Sequence, residues 1–375
     1  NIVTGGFGAG TYLYGSVVDS TYKVITEVRT KVLYSNLSRA MELMKEILFA
    51  TNFADTKRLQ EVLTETKASI QSQMSYDGAG VASMRVMSYI SPKAAAGEYI
   101  SGVTFYRMLE DIVEHFDDHK EQLVKDLQEL AQILFRPENL MVDVICDEKG
   151  YALIPELVKD IKKDLYTMEV EEGAFVPTVV KANEGFKTAG QVQYVGTGSN
   201  FIEAGFEYTG AMRVLGNIVS NEYLWNNVRV KGGAYGCMNS IYNLNGDASF
   251  VSYRDPNLRE TYEVYEKAAE YIANFEADER EMTKYLIGTM SGVDAPQNSR
   301  QKGDRSLFCY LGDLTVGDLQ EDRDKLLATN VQDIRNNADA IRTIVNAGYR
   351  CTIGSEAKLE ECKDLFNEVK PLLEN

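Results

Sequence analysis

The residues of this sequence whose types and spacing could do chemistry lie in one short stretch, residues 221–238. The stretch holds the single Trp of the chain, and within it Arg229 and Tyr235 flank the pair Gly232 and Gly233. A guanidinium offers a rigid fork of donors to a carbonyl or carboxylate oxygen, and a phenol can donate a hydrogen bond to a developing oxyanion. Neither group is a strong base near neutral pH. Such a pair would therefore stabilise charge and leave proton transfer to another residue.

A helix that ends in a glycine turn and continues as a strand would position these side chains. Apolar residues recur at helical spacing before the turn: Met212, Leu215, Val219, Leu224 and Val228. Gly232 and Gly233 continue a helix poorly and can take positive φ. Residues 234–239 then alternate between two faces, as in a strand. The sequence therefore predicts Arg229 in the last turn of a helix and Tyr235 at the start of the next strand.

A purely structural interpretation fits the same residue types. Gly-rich turns are common, and two glycines can simply stop a helix. Arg229 would then lie on a solvated surface and Tyr235 in a core. Lys231 lies between them, and no pattern assigns it a role.

The run Arg-Val-Lys-Gly-Gly-Ala-Tyr-Gly at residues 229–236 follows Leu-Trp-Asn-Asn-Val at residues 224–228. This stretch closely resembles the signature in the C-terminal half of presequence-protease-like members of the insulinase/pitrilysin family of zinc peptidases. In that family four homologous domains form two halves that close around a peptide. The first domain carries zinc on an inverted H-x-x-E-H motif, and the last contributes an Arg and a Tyr. Matched by position, the resemblance implies that these are Arg229 and Tyr235, and it extends over the whole chain.

The resemblance implies that the chain is the C-terminal, substrate-clamping half of a zinc-dependent endopeptidase that degrades peptides. Arg229, Gly232, Gly233 and Tyr235 would contact the substrate. Arg229 would hold a backbone carbonyl, and Tyr235 would donate to the tetrahedral oxyanion, so both would be catalytic. Zinc and the general base would lie in an N-terminal half, either covalently attached or in a partner subunit. This chain alone would then bind no metal and be inactive. The alternative is a noncatalytic peptide-binding or scaffold subunit of the same fold.

The two histidines of the chain are a second candidate site. No H-x-x-E-H occurs in the 375 residues, but His-Phe-Asp-Asp-His at residues 115–119 mimics it with Asp118 in place of Glu. Asp is one methylene shorter, and Asp118 with Glu121 indicates a capping box that begins a new helix. We therefore expect His115 and His119 to lie on different faces and to hold no zinc. A free-standing zinc enzyme at these residues is the alternative, which metal analysis would decide.

Composition limits the partners and the compartment. The net charge of -17, from 39 basic and 56 acidic residues, argues against nucleic acid as a partner and favours cationic peptides. Five cysteines without a C-x-x-C pair indicate reduced thiols, and hence the cytoplasm or another reducing compartment. No run of 18 apolar residues is present, so no membrane span is expected. A first residue that is Asn instead of Met fits a segment that holds the two C-terminal domains.

An internal repeat predicts two homologous domains. A strand near residues 24–32 and the sequence Phe-Ala-Asp at residue 53 recur, at similar spacing, as a strand near residues 248–253 and Phe-Glu-Ala-Asp at residue 275. Strand pairs that alternate with helix pairs predict an α+β fold, with a mostly antiparallel sheet in each domain and helices on one face. The resemblance implies the same layered roll.

The predicted boundaries follow from this repeat and from composition. Residues 1–165 would be the third repeat domain of the family, noncatalytic and lining the substrate chamber. Residues 166–190 lose periodicity and would be a linker. Residues 191–375 would be the fourth repeat domain, which carries the Arg/Tyr signature. Inside the first domain, alternation predicts strands at residues 23–32 and 140–146, and helix starts are indicated at Asn36, Asp55 and Ser91. Residues 294–306 are predicted to be a solvated loop.

Overall fold

The computed structural model describes residues 4–18, 21–170, 173, 175–243 and 245–373. The first part of the chain is a β-hairpin followed by helices. Strands β1 (Phe7–Gly15) and β2 (Tyr22–Thr30) pair antiparallel. The helices that follow are α1 (Leu37–Phe49), α2 (Thr56–Tyr76), α3 (Gly78–Ser88), α4 (Pro92–Ser101), α5 (Val103–Glu114), α6 (Phe116–Leu134), α7 (Glu148–Tyr151) and α8 (Ile154–Lys162).

Side-chain caps fix the starts of several of these helices. Asp55 accepts a hydrogen bond from the Arg58 amide at the start of α2. Asp77 accepts one from the Gly80 amide, which begins α3 immediately after α2 ends. Ser91 caps α4, whose first residue is Pro92. Such caps satisfy amides that have no partner within the helix. The helix starts predicted at Asp55 and Ser91 are confirmed.

The second part of the chain is built on a six-stranded sheet with strand order β5-β6-β4-β7-β3-β8. The strands are β3 (Asn183–Thr188), β4 (Tyr194–Asn200), β5 (Gly236–Ile241), β6 (Asp247–Tyr253), β7 (Tyr349–Ser355) and β8 (Glu368–Pro371). Strand β3 runs parallel to β7 and β8, and the other neighbours are antiparallel. The α+β class is confirmed.

Helices of the second part follow the same chain order. They are α9 (Gly210–Ile218), a π-helix (Val219–Lys231), α10 (Arg259–Glu266), α11 (Ala268–Ala273), α12 (Glu279–Val293), α13 (Ser299–Leu311), α14 (Val316–Leu327), α15 (Val331–Asn336), α16 (Ala338–Asn346) and α17 (Glu356–Glu361). Side chains of α9, the π-helix, α10, α11 and α16 form the larger hydrophobic core with Val195 and Phe250 of the sheet. No helix within the described ranges is both long and apolar enough to cross a membrane.

The opposite face of the sheet is covered by α3, which comes from the first part of the chain. Ala82 and Val86 of α3 are fully buried in a second core that also contains Phe186, Cys351 and Ile353 of the sheet. A Cβ atom at Gly78 would lie 2.4 Å from the Tyr194 ring, so only glycine allows this close approach. The layering therefore differs from the prediction, because helices cover both faces of this sheet.

Three segments differ from their predicted structure. Residues 140–146 form no strand, and several of their apolar side chains are exposed. Within the described residues, the sheet of this part is the hairpin β1–β2, which leaves that segment without a pairing strand. Residues 183–188 of the predicted linker form β3. Residues 299–311 form α13, because Asn298 and Gln301 make a capping box that the loop prediction overlooked. Residues 171, 172 and 174 of the linker lie outside the described residues.

Candidate functional site

The candidate site begins on the π-helix, which continues α9 without a break. Its buried side consists of Val219, Tyr223, Leu224 and Val228, and the Tyr223 hydroxyl donates to the main-chain oxygen of Val264 at 2.7 Å. A π-helix has a wider turn than an α-helix and often occurs at functional sites. The helix predicted to lead to Arg229 is therefore present, although its π geometry was not predicted. Arg229 lies in its last turn, as expected.

The glycine pair ends this helix in the predicted way. The Gly233 amide donates to the Arg229 carbonyl at 2.9 Å, and the Ala234 amide donates to the Val228 carbonyl at 3.1 Å. Gly233 has φ of +84°, a conformation that costs other residues energy. At Gly232 a Cβ atom would lie 2.5 Å from the Val228 oxygen. The two glycines are therefore required for different reasons, one for its backbone angle and the other for space.

Arg229 and Tyr235 are brought together by this turn. The Arg229 Nη1 atom donates to the Tyr235 main-chain oxygen at 2.7 Å. The guanidinium carbon lies 4.1 Å from the Trp225 ring centroid and 5.4 Å from the Tyr235 ring centroid, both within cation–π distance. These three contacts fix the orientation of the guanidinium. Tyr235 is 65% exposed, so the pair lies at the open surface of the protein.

Two further residues of the site come from the end of β6. The Tyr235 amide donates to the main-chain oxygens of Tyr253 and Arg254, at 3.1 and 3.3 Å. The Tyr253 ring contacts the Tyr235 ring edge-on at 5.7 Å, and Arg254 lies over the Tyr253 ring. Arg254 has φ of 49°, a left-handed conformation that is strained for a residue with a Cβ atom. Sequence reasoning missed both residues, because their proximity depends on the pairing of β5 with β6.

A buried aspartate holds the loop after β6 against the glycine turn. Asp255 accepts hydrogen bonds from the Thr261 hydroxyl at 2.7 Å and the Asn257 amide at 2.9 Å. The Asn257 side chain in turn donates to the Gly232 carbonyl at 2.6 Å. Burial raises the pKa of the Asp255 carboxyl. This connection between Asp255 and Gly232 positions the end of the π-helix.

The remaining candidate residues lie elsewhere or have other contacts. Lys231 donates to the Asn227 side chain at 3.1 Å. His115 Nδ1 and His119 Nε2 contact the two carboxylate oxygens of Asp111, at 3.1 and 3.2 Å. The prediction that the two imidazoles lie on different faces is therefore wrong. Helix α6 begins at Phe116 with His115 as its N-cap, so no new helix starts at Asp118.

Zinc, which the resemblance implies, does not fit the residues that the structure describes. Across those residues no group of three or more His, Cys, Asp and Glu side chains is placed to hold a metal ion. The imidazoles of His115 and His119 converge on a single exposed carboxylate. What the Arg229 and Tyr235 arrangement can do by itself is donate hydrogen bonds to oxygen atoms of a molecule brought to this surface.

Two family models match the chain and together cover most of it. The model described as "PreP C-terminal domain" matches residues 183–355, which include the whole junction from the π-helix to β6. The second model describes a domain associated with subfamily C of the M16 peptidases, and it matches residues 1–112.

Curated relatives align over nearly the full length of the chain. "Protein HypA" of Clostridium perfringens is 35% identical over 374 residues, which cover 100% of this chain and 38% of that protein. Presequence protease 1 of Arabidopsis thaliana, chloroplastic/mitochondrial, is 27% identical over 353 residues, which cover 92% of this chain and 32% of that protein. The chain therefore spans about a third of the length of these relatives.

Solved structures share the fold. A conserved protein from Enterococcus faecalis V583 superposes with a TM-score of 0.57 at 17% identity and covers 94% of this chain and 82% of that one. Pitrilysin superposes with a TM-score of 0.54 at 12% identity and covers 93% of this chain and 35% of that one. At these identities the likeness shows the fold alone. With the family models and the curated relatives, it leads to one conclusion: the chain belongs to the presequence-protease branch of the insulinase/pitrilysin (M16) peptidase family.

Proposed function

We propose that this chain is the C-terminal, substrate-clamping half of a zinc-dependent endopeptidase that degrades peptides. The observation that carries the proposal is the exposed Arg229 guanidinium, fixed between the Trp225 ring and the Tyr235 carbonyl. A charged donor held rigidly at an open surface suits recognition of an oxygen on another molecule. The presequence proteases among the relatives, and the third of their length that this chain spans, support the assignment.

In this proposal each residue of the junction has a distinct task. Arg229 binds a backbone carbonyl of the peptide, and its main-chain and aromatic contacts keep it from turning toward solvent. Tyr235 donates its hydroxyl proton in a hydrogen bond to the oxyanion that forms at the scissile carbonyl. Gly232 and Gly233 carry no side chain that would keep a peptide from the main chain. The general base and the metal belong to the other half of the enzyme.

The proposed division of the chain follows the same logic. Residues 191–375 form the fourth repeat domain and supply Arg229 and Tyr235. Residues 1–165 form the third repeat domain, which is noncatalytic and lines the substrate chamber. Residues 166–190 connect the two. We place the protein in the cytoplasm or another reducing compartment, because its five cysteines form no C-x-x-C pair.

Reconstitution tests the proposed function. The chain is mixed with the zinc-bearing N-terminal half of a presequence protease, and hydrolysis of a fluorogenic peptide is followed. We expect turnover from the mixture and none from either component alone. If the mixture binds peptide, assembles and cleaves nothing, the chain is instead a noncatalytic peptide-binding or scaffold subunit, and the proposed function is wrong.

A further inference from the structure

Strand β5 has one edge that no other described strand pairs with. It is the terminal strand of the six-stranded sheet and pairs along its other edge with β6. The Tyr242 amide donates to the Asp247 carbonyl at 2.8 Å, one residue beyond the last paired residues of the two strands. Hydrogen-bonded pairs recur at every second residue of an antiparallel ladder. The main-chain groups of Cys237, Asn239 and Ile241 therefore point away from β6, toward the open edge.

A polar groove of about 350 Å³ lies beside this edge, on the side of α9 and the π-helix. Its lining includes Asn217, Ser220, Asn221 and Asn239. The Asn239 amide group donates to the Gly216 carbonyl at 2.9 Å and to the Ser220 hydroxyl at 2.8 Å. The Asn221 amide group donates to the Asn217 side-chain oxygen at 2.6 Å. The wall of the groove is thus a set of amides held in fixed orientations.

The other face of β5 carries exposed apolar side chains. Met238 is 43% exposed and Tyr242 is 51% exposed. Their main-chain groups bond to β6, and side chains on consecutive strand residues alternate between faces. A strand added to β5 would therefore direct its own side chains alternately toward the polar groove and toward Met238 and Tyr242.

The position and charge of β5 favour an extended peptide as the occupant of this edge. Strand β5 begins at Gly236, directly after Tyr235, so a peptide on the edge would continue into the Arg229 and Tyr235 site. A second copy of the chain would bring together two molecules that each carry a net charge of -17, which repel one another. An unpaired strand edge binds extended peptides through main-chain hydrogen bonds, and pockets beside it select alternate side chains.

We propose that β5 binds the substrate as an added β-strand, with alternate polar side chains of the peptide in the asparagine-lined groove. The inference rests on the proposed function, because the peptide bound at the edge is the one presented to Arg229 and Tyr235. The ligand class is an extended peptide with polar side chains at every second position.

N-methylation of the peptide tests the inference. A fluorescein-labelled peptide of non-repeating, polar sequence is made in versions that each carry one N-methylated residue, and binding to the unmodified chain is measured by anisotropy. Each blocked N–H that faces β5 should raise Kd about fivefold, the usual worth of one hydrogen bond. The effect should recur at every second residue of the peptide. A loss that is uniform along the peptide, or no loss, would overturn the inference.

A variant of the strand gives an independent test. Ile241→Pro removes an N–H that points to the open edge and leaves the bonds to β6 intact, as proline in edge strands does. It should weaken peptide binding about fivefold. Ile241→Val, which keeps the N–H, should leave Kd unchanged and serves as the matched control. If the proline variant fails to fold, the N-methylated peptides on the unmodified chain still decide. A dimer of the chain that Ile241→Pro dissociates would make a second copy the occupant and overturn the inference.

The outcomes for the edge and for the proposed function are separable. If N-methylation has no alternating effect but Tyr235→Phe lowers turnover of the reconstituted enzyme, only the edge inference fails. If the alternation is found but Tyr235→Phe leaves turnover unchanged, peptide binding at β5 stands and the role of Tyr235 fails.

Discussion

Arg229 illustrates how much of a residue's role depends on neighbours that sequence reasoning finds and how much on neighbours that it misses. Its spacing from Trp225 on one helix and from Tyr235 across two glycines is visible in the sequence. The contact of the Tyr235 ring with Tyr253 is not, because Tyr253 lies on another strand, and strand pairing is a long-range feature. The sequence therefore predicted the pair itself and missed the aromatic support beneath it.

Replacement of Arg229 by lysine tests the need for a planar donor fork. Lys keeps the charge but loses the fork and the stacking on Trp225, so substrate binding should weaken by roughly 1 to 2 kcal/mol, about tenfold or more in KM. The measurement is KM and kcat of the reconstituted enzyme. Lys231→Ala, a nearby change of charge outside the site, should alter KM less than about twofold by the small worth of exposed charges. Equal effects of the two variants would contradict the assignment.

Glu184 on β3 is a buried charge that joins the two parts of the chain. It accepts hydrogen bonds from Arg85 Nε at 2.7 Å, from Lys370 Nζ at 2.7 Å and from the Tyr89 hydroxyl. Burial alone would raise the pKa of its carboxyl, but the hydrogen bond and charge of Arg85, with help from Lys370 and Tyr89, lower that pKa to about 2. Arg85 also pairs with the buried Glu98 at 3.0 Å.

The sign of the resulting pH dependence follows from the lowered pKa of Glu184. Its stabilising effect is complete above the ordinary value of 4.5 and is lost as the pH falls toward about 2. Glu184→Gln should lower the free energy of unfolding at pH 7 by on the order of 3 kcal/mol and flatten its pH dependence in that window. Denaturant unfolding at several pH values is the measurement. Glu368→Gln, at an exposed partner of Lys370, should cost less than about 1 kcal/mol. An unchanged acid limb in Glu184→Gln would refute this role.

At the scale of elements, the junction of π-helix, glycine turn and β5 was largely predictable. Apolar spacing and the glycine pair indicated where the helix ends, and alternation indicated the strand. The π geometry was not, because its apolar residues follow the same approximate period as those of an α-helix. Helix α13 escaped prediction for a different reason. Its residues are mostly polar, and the Asn298 capping box was the signal that remained.

Gly233→Ala tests the backbone conformation of the junction. The added Cβ atom would have space, since the nearest atom is 3.5 Å away, so the cost comes from φ of +84°. We expect destabilisation of about 1 to 2 kcal/mol, measured by denaturant unfolding. The control is Gly292→Ala in α12, where nothing lies within 4 Å of the new Cβ atom and helix propensity favours Ala by up to about 1 kcal/mol. Destabilisation by both substitutions to the same extent would contradict the argument.

At the scale of the whole molecule, the packing of α3 on the sheet was beyond sequence reasoning. Periodicity shows that α3 has apolar positions but not which surface they cover. The sheet is buried on both faces, by its own helices on one side and by α3 of the first part on the other. Small residues permit this contact, because Ala82 lies against Gly196 and a Cβ atom at Gly196 would meet the Ala82 carbonyl at 3.4 Å.

Ala82→Leu tests whether this contact joins the two parts of the chain. Ala82 is fully buried, so extra methyl groups should strain the packing by roughly 1 to 3 kcal/mol. We expect faster hydrogen exchange in β4 and β6, which lie beneath α3, as well as in α3 itself. Ala152→Leu, at an exposed position, should change neither. Faster exchange confined to α3 would mean that the sheet does not depend on this helix.

The central claim is that this chain completes a reaction centre whose metal belongs to another segment. Tyr235 is the residue on which the claim can be tested with a single atom, because it is largely exposed and removal of the hydroxyl should leave the fold intact. Tyr310→Phe is the matched control, since that residue is 73% exposed on α13 and lies outside the site.

The most direct measurement is kcat for peptide hydrolysis by the reconstituted enzyme, with and without the Tyr235 hydroxyl. Loss of one oxyanion donor typically costs about 3 kcal/mol in the transition state, so Tyr235→Phe should lower kcat about a hundredfold, with folding and bound zinc unchanged. A kcat equal to that of the unmodified enzyme would contradict the account.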